Sequence, residues 1–294
     1  MKKVIFILLI IVFYLSSYVY ALDWKRFHEE ADSKNVQDAL TSIKKNPDSL
    51  NELYILGLVY LNSHNDIEAQ GVFRNILALA PDTLEAQWGL AEVLRRKKKI
   101  KESEELLNKI IKSNPDFSPA YISLAYLRYT QANFKEAIRL ALKVRKQGRD
   151  YVDLSNYTRA YVIYAGAKGM IASKGGPISK VINGTQVLPN LKKAEKLQPD
   201  SAAVLFGLGS FYFLAPGIAG GNADKALDYL DRAVAADPLF ADAYVRLAQI
   251  SKSKGNNKEY RLYLNKALEI DPDNELAKDE ISGICKFNCV TVEE

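Results

Sequence analysis

Residues Leu53 to Pro81 read LYILGLVYLNSHNDIEAQGVFRNILALAP. Two apolar runs flank a polar break, Asn62 to Asp66, and a proline closes the second run. In the first run Leu53, Leu56, Gly57 and Tyr60 stand three or four apart, the stripe of an amphipathic helix. Ala69 and Phe73 carry the same spacing in the second. Pro81 stops that helix, since it has no N–H to donate and its ring crowds the preceding turn. The stretch predicts a helix hairpin, and the small residues Gly57 and Ala69 let its two backbones approach closely.

The hairpin recurs. Pro47, Pro81 and Pro115 stand 34 residues apart, as do Pro238 and Pro272, with Pro199 between the two sets. Counting back from Pro115 gives Leu90, Ala91 and Leu94, then Leu107 and Ile110. Counting back from Pro272 gives Tyr244, Leu247 and Ala248, then Leu264 and Ala267. A further copy carries Tyr121, Leu124, Ala125 and Ala137 and ends at Gly148. Small residues recur on the first helices at Gly57, Ala91, Ala125, Gly166, Gly209 and Ala248. One helix pair cannot bury its apolar face alone, so successive pairs must stack.

This pattern (Leu53, Leu56-Gly57, Tyr60, Ala69, Phe73, Pro81, with leucine where the first tryptophan would stand) resembles the tetratricopeptide-repeat family from about residue 35 to 286. The resemblance implies an all-α, right-handed superhelical solenoid of antiparallel helix pairs. Six repeats are expected at 50–83, 84–117, 118–151, 159–201, 202–240 and 241–274. Capping helices are expected at 22–49, and a capping helix with a tail at 275–294.

Regularity fails in the middle. Repeat four carries nine extra residues in SKGGPISKVINGTQ, with Gly175 and Gly176, and repeat five carries five extra in APGIAGGN, with Pro216, Gly220 and Gly221. About seven more, Tyr151 to Tyr157, separate repeats three and four. Both insertions read as enlarged turns on one edge, expected to touch as a composite patch made basic by Lys168, Lys174 and Lys180. Silent insertion is the competing reading.

The resemblance also implies partner binding along an inner groove lined by first helices. The register places there Tyr54, Trp88, Arg95, Arg96, Ile122, Tyr126, Tyr129, Met170, Phe206 and Phe213. So apolar a strip needs cover, from a partner, an apolar small ligand, or the protein itself, in which case these residues are core. The lysines and asparagines with which the chaperone-docking subfamily clamps a carboxylate are absent. Arg95-Arg96-Lys97-Lys98-Lys99 suits a helix C-terminus, and Arg95 and Arg96 could alternatively pair an acidic ligand group.

The 294 residues carry 40 Lys and Arg against 35 Asp and Glu, a net charge of +5 too small to argue for nucleic acid. MKKVIFILLIIVFYLSSYVYA has two lysines, an apolar run from Val4 to Leu15, and a small-x-small ending at Val19-Tyr20-Ala21. It reads as a secretory signal peptide over residues 1–21. Cleavage would remove Lys2 and Lys3 and leave +3, while an uncleaved anchor, the one expected membrane contact, stays open. Cys285 and Cys289 suit a disulfide in an oxidising compartment, with free thiols as the alternative. Neither histidine, His28 or His64, lies in a ligand motif, and no nucleophile–base or phosphate-binding motif occurs, so no metal, cofactor or catalytic residue is expected.

These readings converge on an exported, periplasmic, non-enzymatic scaffold or adaptor that holds a protein partner. The alternative is a carrier of an apolar or amphipathic small molecule. It draws on a weak similarity, through Gly220-Gly221 and Lys225 to Leu230, to exported bacterial tetratricopeptide proteins, some of which accompany TRAP-type transporters.

Overall fold

A computed structural model describes residues 23–283, in which the chain forms sixteen α-helices and no strand. The expected signal peptide and the pair Cys285 and Cys289 lie outside these residues. Two compact units divide at Ala120.

The first unit holds α1 (Trp24–Asp32), α2 (Val36–Lys45), α3 (Leu50–Asn62), α4 (Asp66–Leu79), α5 (Leu84–Arg96) and α6 (Ile100–Ser113). α3 and α4 form one hairpin and α5 and α6 the next, while α4 packs against α5. Short polar turns force each pair antiparallel. Phe73 on α4 explains the small residues opposite it. A Cβ on Gly57 would come within 2.6 Å of the Phe73 ring, and one on Gly89 would come closer still. One buried ring thus fills two notches, on α3 and on α5.

The second unit begins within α7 (Ser118–Thr130), at Tyr121. It continues through α8 (Phe134–Gln147), α9 (Leu154–Lys174), α10 (Pro177–Gly184), α11 (Val187–Leu197), α12 (Ala202–Leu214), α13 (Ala223–Ala236), α14 (Ala241–Ser253), α15 (Asn257–Ile270) and α16 (Glu275–Ser282). α12 pairs with α13 and α14 with α15, and α16 rests on both α14 and α15. Leu205, Leu208, Leu230, Ala233, Leu247 and Ile250 belong to its core.

Helix starts follow from side-chain caps. The Asn133, Asn222 and Asn256 carboxamide oxygens accept hydrogen bonds from the backbone N–H three residues on, replacing a missing intrahelical partner at second-helix starts. The turns before α4, α6 and α8 each place a non-glycine residue at φ 59°, and these residues, His64, Lys98 and Ala132, are themselves 34 apart. The repeat is therefore written in backbone conformation as well as in apolar spacing.

Both insertions take more order than a turn. The residues after Gly176 form α10, with Pro177 in its first turn, where the absent N–H costs nothing. The residues between α8 and α9 partly become the first turn of α9, capped by Asp153. The APGIAGGN insertion forms a single 3-10 turn, Gly217–Ala219, and then Gly220 at φ 97°. A Cβ on Gly221 would collide with the Ala215 carbonyl, so the chain can turn back into α13 only with glycine there.

Candidate inner-face site

First-helix residues expected to line a groove meet different surroundings in the two units. In the first, α1 packs on α3 and brings its rings to the expected inner face. The Tyr54 side chain has no exposed surface, and its hydroxyl lies 2.8 Å from His28 Nε2. The His28 ring is also 4.9 Å from Trp88, and Trp24 meets Phe117 edge-on at 5.4 Å. Phe27 is 6.3 Å from Tyr54. Tyr54 and Trp88 are thus core residues here, covered by the protein's own N-terminal helix, and not an open groove. The sequence left that reading open; α1 decides it.

The two arginines have intramolecular partners. Arg95 reaches back one turn to Glu92, with Nη2 donating to Oε2 at 2.9 Å. Arg96 Nη1 donates to Asp66 Oδ1 at 3.0 Å and to the Leu61 carbonyl at 2.8 Å. Arg96 therefore ties the end of α5 to the α3–α4 turn. Glu85, at the start of α5, is buried, and burial raises its carboxyl to about 7 against the pull of its own backbone N–H.

The second unit keeps more of its expected inner residues partly exposed. Ile122 and Met170 are buried, whereas Tyr126, Tyr129, Phe206 and Phe213 are half-buried. Phe206 packs tilted on Phe240 with ring centres 5.0 Å apart. The Tyr129 ring lies over Gly166 of α9.

Beside these aromatics is a polar network that the sequence did not announce. Arg246 on α14 is buried, which lowers its pKa from the ordinary arginine value, while Tyr129, Asp242 and Glu280 act to raise it. The same Arg246 pulls down on the Tyr129 hydroxyl, but burial wins and pushes that group up to about 12. Arg246 Nη1 donates to Gln249 Oε1 at 2.6 Å. Gln249 Nε2 and Lys252 Nζ then donate to the two Glu280 oxygens at 2.9 and 2.7 Å. Asn274 Nδ2 donates to Asp242 Oδ1 at 2.6 Å. Residues on α7 and α14, more than a hundred positions apart, thus share one electrostatic environment within this unit. The available signal was weak: Arg246 stands two residues after Tyr244 of the repeat pattern and would pass for a solvated charge.

A second unannounced cluster joins α11 to α13. Lys192 Nζ donates to Glu195 at 2.8 Å and to Tyr229 Oη at 2.9 Å, and Tyr229 donates to Glu195 at 2.7 Å. Tyr229 stacks on Tyr212 at 5.6 Å.

The insertion residues are placed as follows. Gly176, Pro216 and Gly220 are exposed, and Gly175 and Gly221 half-buried. α10 rests on α9 and, more lightly, on α11, and no contact of that extent joins it to Gly217–Ala219 among the described residues. No cluster of His, Cys, Asp or Glu able to hold a metal occurs among the described residues, and none of the described helices is long and apolar enough to cross a membrane.

Models of the tetratricopeptide repeat match residues 67–125 and 218–275. A search of curated protein sequences finds no match. Among solved structures, a tetratricopeptide repeat protein from Parabacteroides merdae is 14% identical, covers 83% of this chain and 88% of its own, and superposes with a TM-score of 0.52. A chain of the APC/C hetero-tetramer Cut9-Hcn1 is 16% identical over 86% of this chain and 46% of its own, at 0.54. A monomeric mutant of IFIT1 with Gppp-AAAA is 18% identical over 84% of this chain and 57% of its own, at 0.57. At these identities the likeness is one of fold, an all-α array of tetratricopeptide helix pairs.

Proposed function

We propose, on the premise that the chain is a tetratricopeptide-repeat protein, that it is a non-enzymatic scaffold exported to the bacterial periplasm, where it holds a segment of a partner protein against the first helices of its second unit. Export rests on the leader, two lysines, an apolar run and the Val19-Tyr20-Ala21 ending. A scaffold role fits a repeat array whose sequence carries no nucleophile–base or phosphate-binding motif.

The observation that carries the binding reading is the partial exposure of Phe206 and Phe213 on α12, where the first unit's Tyr54 and Trp88 are covered by α1. Aromatic side chains give much contact area for little lost rotamer freedom, and they dominate binding energy at interfaces. With the first unit's rings covered and the second unit's partly bare, the second is the place for a partner's apolar segment.

The test places a photo-crosslinking phenylalanine analogue at position 206 in the protein's own host. The expected product is one polypeptide adduct, lost in Phe213→Ala while helicity is unchanged. An undiminished adduct in that variant would break the proposal. A small-molecule adduct in place of a polypeptide would turn the scaffold into a carrier of apolar ligands.

A further inference from the structure

α10 is mounted inside out. Its Ser179 hydroxyl donates to the Ile171 carbonyl of α9 at 3.2 Å. Lys168 Nζ on α9 donates to Asn183 Oδ1 at 2.9 Å, and Asn183 Nδ2 donates back to the Ser179 carbonyl at 3.1 Å. The polar side of the helix is thus fastened inward. Its three branched apolar residues face out: Ile178 is 76% exposed, Val181 65% and Ile182 60%. At 3.6 residues per turn these three share one side of the helix. A surface helix normally does the reverse, so the apolar ridge is unexplained by folding.

The stretch of sequence that carries it is basic, although Lys192 at its end is paired with Glu195. Between Leu154 and Ala194 the chain has six cations, Arg159, Lys168, Lys174, Lys180, Lys192 and Lys193, and no aspartate or glutamate. Lys174 just before α10 and Lys180 within it are exposed. Lysine can lay its aliphatic stem along apolar surface and keep its ammonium outside.

We propose that α10 seats this protein on an anionic lipid bilayer, with Ile178, Val181 and Ile182 entering the boundary between headgroups and acyl chains, and Lys174 and Lys180 meeting lipid phosphates. An interfacial helix has this composition, an apolar side with lysine on the polar side opposite it. A bilayer also fits the shape, because a convex ridge of side chains offers no cleft to a partner's anchor residue, and lipid requires none. The absence of any acidic residue across forty-one positions suits a broad anionic surface.

The experiment is flotation of residues 22–294 with vesicles of phosphatidylglycerol and phosphatidylethanolamine, against vesicles of phosphatidylcholine alone. That chain retains every described helix and lacks the leader, which would itself insert. Flotation is expected with the anionic vesicles only, and salt should weaken it. The triple variant Ile178→Asn, Val181→Asn and Ile182→Asn should no longer float. Lys174→Gln and Lys180→Gln should each weaken binding about fivefold. Circular dichroism checks that the triple variant is folded. Should it not be, Ile182→Trp keeps the ridge apolar, and its added fluorescence should shift to the blue on anionic vesicles. Failure of the unaltered chain to float, equal flotation of a folded triple variant, or an unshifted emission from the Ile182→Trp variant would each overturn the proposal. So would a dimer that the triple variant abolishes with no vesicle binding, which would assign the ridge to a second copy of the chain.

Discussion

Tyr54 and Phe206 occupy the same position in their repeats, one residue after the leading apolar residue of the first helix, Leu53 or Leu205. Tyr54 has no exposed surface, a histidine on its hydroxyl and Phe73 beside it at 6.2 Å. Phe206 is half-buried against Phe240. The repeat register is the same, and so is the residue class. What differs is a stretch of chain outside the repeats, α1, which lies on the first unit and has no counterpart over α12 among the described residues. An aromatic at this position is neither a core nor a binding residue by virtue of its spacing. Non-periodic chain decides which it becomes.

The sharpest way to break this contrast is at Phe73. If the first unit is held by rings set into backbone notches, Phe73→Ala should cost about 3–5 kcal/mol, read from denaturant unfolding. Stability in repeat arrays is carried by neighbouring pairs, so the lost hydrogen-exchange protection should fall on α3, α4 and α5 before the second unit. Uniform loss along the chain would mean that the units do not differ as described.

A pH series sharpens the same contrast through Glu85. Its folded pKa, about 7, lies above the ordinary 4.5, so between these values the folded chain holds a proton that the unfolded chain has released. Stability should therefore fall as pH rises from about 4.5 to 7 and level off above. Glu85→Gln should flatten that slope and, at pH 8, stabilise the chain by an amount of order 3 kcal/mol, with little change at pH 4. An unchanged slope in the variant would place the titration elsewhere.

The smallest effect tests the irregular half. Gly221→Ala should destabilise by somewhat more than about 1 kcal/mol, since the new methyl meets the Ala215 carbonyl. Exchange protection should drop first in α12 and α13. No loss there would mean that the insertion gives way freely, and that Gly221 is incidental.

Most of the helices were legible because their signals are local. Apolar spacing, the prolines at 34-residue intervals and the asparagines that cap second helices all act within one or two turns. α10 was read as a turn because Gly175 and Gly176 dominate its start, although Pro177 in a first turn, followed by Ile178, Val181 and Ile182, is itself a helix signal. The partners of Arg96 and Arg246 were not legible. Asp66 stands thirty residues before Arg96, Glu280 thirty-four after Arg246, and Tyr129 more than a hundred before it. Spacing within a helix carries no information about such pairs. The cover over Tyr54 failed for the same reason, since nothing in Trp24 to Asp32 says which way that helix will lie.

The Phe73 ring has one more consequence. It is shared by Gly57 in its own repeat and Gly89 in the next, so the stretch that repeats in the sequence is not the stretch that holds together mechanically. An insertion or deletion of one 34-residue copy at this seam would preserve the spelling of the pattern, yet it would separate Phe73 from one of the two glycines that admit its ring. Shuffling repeats in this chain is therefore constrained at this joint, where a single aromatic ring belongs to two copies at once.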